Sequence, residues 1–130
     1  MTLRVRRVVT DHDAKGRAVV KSDEAVAKTV SARAGHSRLD LWKGPDGTVF
    51  RMVEYEPGVA PRDHRTETID YAIVVSGELE MDLDGMAVKL KKGDVVVQQN
   101  TMHNWINRGT EPCVMCYVLV PLKGAKPAVG

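Results

Sequence analysis

Apolar and polar residues alternate along this chain in short runs, each stopped by Gly, Pro or Asp, and no stretch keeps a helical period for more than about two turns. The clearest run is ELEMDLDGMAVKL, where Leu79, Met81 and Leu83 alternate with acids up to Asp84-Gly85, a pair favoured in two-residue hairpin turns. LRVRRVVT and RAVVKS flank the turn-rich DHDAKG and predict an N-terminal β-hairpin. SRLDLW, TVFRMVEYE, IDYAIVVSG, GDVVVQQN, HNWIN and CVMCYVLV supply further candidate strands. The segment SDEAVAKTVSARA, residues 22–34, allows either a short helical turn or a meandering loop. An open sheet of this length would leave an apolar face and bare edges in water, so the pattern predicts an all-β sandwich or barrel.

With 130 residues and 43% hydrophobic side chains, the chain suits one domain with one core, and neither a repeat nor an internal boundary interrupts it. No apolar run approaches the roughly 20 residues of a membrane helix, and MTLRVRRVVTDHD lacks the apolar region of a secretory signal. The expectation is a cytoplasmic protein with no membrane partner. The net charge of +2 is spread over dispersed lysines and arginines interleaved with acids. LRVRR alternates with apolar residues as the solvent face of a strand does, and one Phe and three Tyr offer little for base stacking. No nucleic-acid partner is expected. Cys113 and Cys116 form a CxxC within a β-branched run. On a strand, residues three apart point to opposite faces, so two buried free thiols are expected rather than a disulfide or zinc pair.

The chemistry gathers around histidines. On a strand, His64, Thr66 and Asp70 share one face while Arg65, Glu67 and Ile69 face away. His103 shares its face with Trp105 and Asn107, and a hairpin separates the two segments, so the two histidines can meet inside a small barrel. His12 falls in a solvated turn and His36 in a loop, and neither is assigned a role. Trp105 is either core filling or a pocket wall; Trp42, Met52 and Tyr117 are further candidates for the lining. Arg62 and Arg65 belong to the rim or outer face. With no basic residue on the inward parity near His64, a multiply phosphorylated substrate is disfavoured.

These segments resemble the cupin superfamily. Gly58, His64, Thr66, Asp70 and Gly77 stand where that family places Gly, His-x-His, Glu and Gly; Gly93, Gln98, Asn100, His103 and Asn107 stand along its second motif. The resemblance is specific over residues 50–120 and looser before them. It implies an antiparallel jelly-roll barrel, the double-stranded β-helix, over about residues 38–121; the residues themselves add N-terminal strands in 3–34 and a tail in 122–130 whose small residues, Pro and Gly suggest fraying. It also implies a divalent transition metal, iron, manganese, nickel or zinc, held by His64, Asp70 and His103. Two positions depart from the family pattern: Asp70 is a methylene shorter than Glu, and Thr66 puts a hydroxyl, a poor ligand for such a metal, where the family has a histidine. A metal site with an incomplete ligand set and a metal-free polar pocket both fit. Thr66, Trp105, Asn107 and Gln98 are the candidate substrate-binding residues. The function implied is processing of an oxygenated organic acid or aromatic compound by a metal-dependent enzyme of dioxygenase, isomerase, lyase or cyclase type. A ligand-binding or accessory protein without catalysis is the alternative, and a purely structural barrel a third. A homodimer is expected, its physical motive the exposed edge of the N-terminal hairpin.

Overall fold

The computed structural model describes residues 3–122. It consists of eleven strands: β1 (Val5–His12), β2 (Ala18–Val26), β3 (Val30–Arg33), β4 (His36–Lys43), β5 (Val49–Tyr55), β6 (Thr68–Ser76), β7 (Glu78–Leu83), β8 (Met86–Lys91), β9 (Val95–Gln99), β10 (Asn104–Ile106) and β11 (Cys113–Pro121). All named pairings are antiparallel, and the described residues contain no helix. The expected N-terminal hairpin is present as β1–β2. The expected Asp84-Gly85 turn joins β7 to β8, with Leu83 opposite Met86. Residues 22–34, ambiguous in sequence, hold the end of β2 and the whole of β3, so pairing with β1 and β4 overrides any local helical tendency. The expected fraying beyond Leu122 concerns residues outside those described.

A six-stranded sheet, β3-β4-β5-β11-β6-β9, faces a three-stranded sheet, β10-β7-β8, across one apolar cluster. Val53, Val74 and Met115 come from the larger sheet, Leu79, Met81 and Leu90 from the smaller, and Trp105 from β10. Strand β6 shows the logic: Thr68, Asp70, Ala72 and Val74 are buried, whereas Tyr71, Ile73 and Val75 are exposed on the other face. Leu3, Val5 and Val26, from the N-terminal segment, pack on the outer face of the larger sheet against Leu39, Leu41, Val114 and Met52. This jelly-roll needs glycine where β6 turns into β7. Gly77 has φ of 77°, and a Cβ there would stand 2.9 Å from the Cα of Cys113.

Both cysteines are free thiols on β11. Cys113 is wholly buried and its thiol is pushed up to about 11 by burial, while Cys116 is half-buried on the opposite face. The two thiols therefore diverge as strand parity predicts, although only Cys113 is fully buried.

Candidate functional site

One short backbone contact builds the centre of the site. His64 and His103 form an isolated antiparallel bridge, each backbone N–H donating to the other's carbonyl at 3.0 Å. Directly opposed residues carry their side chains close together, and the two imidazoles lie 4.3 Å apart. The Nδ1 of His64 bonds the carbonyl of Arg62 at 3.0 Å, and the Nδ1 of His103 bonds that of Thr101 at 2.7 Å. A carbonyl can only accept, so Nδ1 carries the proton in both rings and Nε2 keeps its lone pair. Burial lowers both histidine pKa values, and both rings are neutral at pH 7.

Around the pair lies a cavity of about 40 Å³, lined by side chains of β4, β5 and β11 as well as by the two histidine segments. Trp105 forms its wall, 5.5 Å from His103, and packs against Tyr55 at 6.2 Å and Tyr117 at 6.1 Å. The Tyr55 and Tyr117 hydroxyls share a hydrogen bond of 2.8 Å, and burial raises the pKa of both phenols. Thr66 and Asp70 also line the cavity. The Asp70 carboxylate accepts from the Thr68 hydroxyl, and the Thr66 hydroxyl lies 3.4 Å from its second oxygen. Burial raises the Asp70 pKa, and the two hydroxyls partly offset that rise.

The structure thus brings His64, Thr66, Asp70, His103 and Trp105 to one cavity, and Tyr117 with them. The remaining candidates lie elsewhere. Gln98 is buried outside the cavity lining, bonded to the Met81 sulfur and the Thr101 hydroxyl. Asn107 likewise lies outside it, donating to the carbonyls of Tyr55 and Glu111 at 2.9 Å and accepting from the Gly109 N–H, so it ties a loop to β5. Trp42 is on the surface under Arg7, and Met52 packs on the outer face of the sheet. Asn100, where the family has Gly, adopts φ of 56°, a left-handed conformation that Asn tolerates better than other side chains.

Two features of the lining escaped the sequence reading. His36, to which no role was assigned, is buried on β4 and lines the cavity beside Tyr55. The cavity is also basic: Arg33, Arg38 and Arg51 reach it from β3, β4 and β5, and the exposed Arg62 reaches it at the rim. Parity along β6 alone cannot see these residues, because they arrive from strands paired on the other side of β11. With four arginines in its lining, the cavity does not disfavour a phosphorylated substrate by charge.

The donor set decides how a metal would fare. Two neutral imidazoles with Nδ1 fixed by carbonyls and Nε2 free are what a divalent transition metal takes from histidine. A third protein donor is missing: among the described residues, no three His, Cys, Asp or Glu side chains gather into a group able to hold a metal ion. Asp70 is engaged by its threonines, and arginines line the same cavity. The residues present fall one donor short of a three-ligand catalytic site.

Comparison with known proteins agrees with this architecture. The cupin domain family matches residues 51–120, just over half of the chain. The chain belongs to the cupin family. A stretch of 64 residues is 48% identical to the oryzines biosynthesis cluster protein J of Aspergillus oryzae, covering 48% of this chain and 36% of that protein. The cupin-domain-containing oxidoreductase fogC of Aspergillus ruber is 30% identical over 147 residues, covering 90% of this chain and 72% of that one. This cupin thus spans between about a third and three quarters of these relatives' lengths. Among solved structures, an RmlC-like cupin from Shewanella frigidimarina superposes with a TM-score of 0.63 at 16% identity, over 75% of this chain and 86% of that one, which shows the shared fold. No helix among the described residues is long and apolar enough to cross a membrane.

Proposed function

We propose that this cupin is an enzyme that processes a small oxygenated organic acid or aromatic compound in its barrel cavity, with His64 and His103 as its catalytic pair. The observation that carries the reading is the bridge that sets two neutral imidazoles 4.3 Å apart, each with Nδ1 bound to a carbonyl and Nε2 unused. Such a nitrogen accepts a proton from a carbon beside a carbonyl or from an enolic hydroxyl, the step common to isomerase, lyase and cyclase chemistry. Trp105 offers a flat wall for the substrate body, and the narrow cavity admits its reactive end. Relatives named as oxidoreductases and biosynthesis cluster proteins support small-molecule processing of this kind.

A metal-dependent form of the reaction has one observation in its favour, the same two free Nε2 atoms, and lacks the third donor. Elemental analysis of protein purified without a histidine tag separates the two forms. A non-catalytic binding protein is favoured by the mutual satisfaction of the Tyr55 and Tyr117 hydroxyls, which leaves that part of the lining without idle groups.

A thermal-shift screen of oxygenated organic acids and phenols, followed by mass spectrometry of incubations with each stabilising compound, tests the proposal. Conversion by the wild type is expected to fall about 10²- to 10⁴-fold in His64→Ala and in His103→Ala, with the fold retained by circular dichroism. Undiminished conversion in either variant would defeat the assignment, and binding with no conversion by the wild type would favour the accessory role.

We also propose that the protein is a homodimer. The hairpin covers only part of the outer face of the larger sheet, and Phe50, Tyr71, Ile73, Val75, Val95 and Val97 remain 40–66% exposed on it. An exposed apolar surface on the paired strands β6 and β9, with Phe50 on β5 beyond β11, suits an isologous contact with a second copy better than the edge of the hairpin does. Sedimentation velocity is expected to show a dimer that Ile73→Lys with Val95→Lys converts to monomer. A wild-type monomer at high concentration refutes the pairing.

A further inference from the structure

The tight turn between β3 and β4 sets Arg33 opposite His36 in register. Gly35 makes that turn possible, with φ of 76° and the site of a Cβ only 2.9 Å from the Cα of Val59. Arg33 is anchored through Nε, which donates to the Ala60 carbonyl at 2.9 Å. Its Nη2 is buried and has no hydrogen-bond partner, and the same holds for Nδ1 of His36, a side chain only 7% exposed. Both residues line the cavity that holds the histidine pair. Buried polar nitrogens are nearly always bonded; Nη2 of Arg33 can only donate, and Nδ1 of His36 donates in its Nδ1–H tautomer, so a single acceptor between them satisfies both.

The sign of that acceptor follows from the charges around it. Arg51 is paired with Asp40 at 2.8 Å, and the same carboxylate is the neighbour of Arg38 at 3.7 Å. One acid thus faces two of the guanidinium groups and Lys43, and hydrogen-bonds only Arg51, while Nε of Arg38 is left without a partner. Burial first, and then the nearby Arg33, Arg38 and Arg62, push the His36 pKa down to about 4, so the ring is neutral among these guanidinium groups. Asp70, the acid within the lining itself, is turned to its threonines. A planar anion with two oxygens matches the guanidinium fork and fits a space this narrow better than a tetrahedral one.

We propose that Arg33 and His36 form a carboxylate-binding subsite, which holds the acid group of the substrate while His64 and His103 face its reacting carbon. Arg33 donates from Nη2 to a carboxylate oxygen, and neutral His36 donates to the same group once its proton sits on Nδ1. This deepens the proposed function and rests on it for the identity of the bound molecule as substrate. The subsite itself is a claim about binding, so it can fail separately.

Benzoate, benzamide and phenyl phosphate serve as probes, with dissociation constants from chemical-shift titration of the full chain. The wild type is expected to prefer benzoate to uncharged benzamide of the same shape. Arg33→Gln should weaken benzoate about 10- to 100-fold, the value of a hydrogen bond to a charged group, and leave benzamide unchanged. Where Arg33→Gln does not fold, Arg33→Lys keeps the charge without the fork and should still weaken benzoate several-fold. His64→Ala and His103→Ala should retain the benzoate preference, so undiminished conversion in these variants with intact benzoate preference would defeat the proposed reaction and leave the subsite standing. Equal binding of benzoate and benzamide by the wild type, or unchanged benzoate affinity in the folded Arg33 variants, overturns the proposal. Tighter binding of phenyl phosphate than of benzoate overturns the choice of carboxylate.

Discussion

Trp105→Ala should cost about 3–5 kcal/mol, much of the roughly 5–15 kcal/mol that holds a domain of this size together. The indole is 3% exposed and touches Tyr55, His103 and Tyr117 at once, so its removal leaves three rings facing a void. Neighbouring strands are tied by backbone ladders and cannot collapse into the space, which is why the cavity term adds to the lost transfer energy. In urea the midpoint should fall with the slope unchanged, and Trp105→Phe should recover most of the loss. Trp42→Ala is the control: that side chain is 45% exposed and lies under Arg7, so the expected cost is below about 1 kcal/mol. Equal losses at the two tryptophans would mean that Trp105 does not pack as described.

Thr66→His should turn a two-imidazole pair into a three-imidazole site. Position 66 lines the same cavity as His64, two residues away, so the new ring adds a nitrogen donor where the ligand count is one short. Without metal the change should destabilise by about 1–3 kcal/mol, because it inserts bulk and takes a hydroxyl from beside Asp70. Zinc, nickel, manganese or iron should then raise the mutant's melting temperature well above any rise in the wild type, by linkage of binding to folding. A mutant that is destabilised and indifferent to all four metals would show that the histidine pair is not part of a metal site.

Local chemistry made several elements legible before any tertiary structure. The β7–β8 hairpin follows from Leu79, Met81 and Leu83 alternating up to Asp84-Gly85, a signal complete within thirteen residues. His64, Thr66 and Asp70 reach one cavity as their even spacing predicts, although only Asp70 lies on β6 and His64 is held by its bridge to His103; within β11, strand parity separates Cys113 from Cys116. Residues 22–34 were ambiguous because β3 is only four residues long and gains its stability from β4, a partner its own sequence does not display. Gln98 and Asn107 lie on motif positions, yet each is consumed by a local bond, Gln98 by Met81 and Thr101, Asn107 by carbonyls of β5 and its own loop.

What the sequence by itself determined is therefore the class of the fold, the positions of most strands, and the two segments that carry the central histidines, although both histidines lie just outside the strands expected to hold them. Those properties depend on a two-residue period and on turn residues, which can be read within a short window. Only the tertiary structure decided that His64 and His103 stand opposite one another across a bridge of two hydrogen bonds, and that His36 joins them in the lining. It alone decided the charge of the cavity, since Arg33, Arg38 and Arg51 enter from β3, β4 and β5 while His64 and Asp70 belong to the β6 side of β11. Which strands become neighbours is set by closing the sheets over a shared core, and that non-local choice has no signature in the spacing of residues along any one strand.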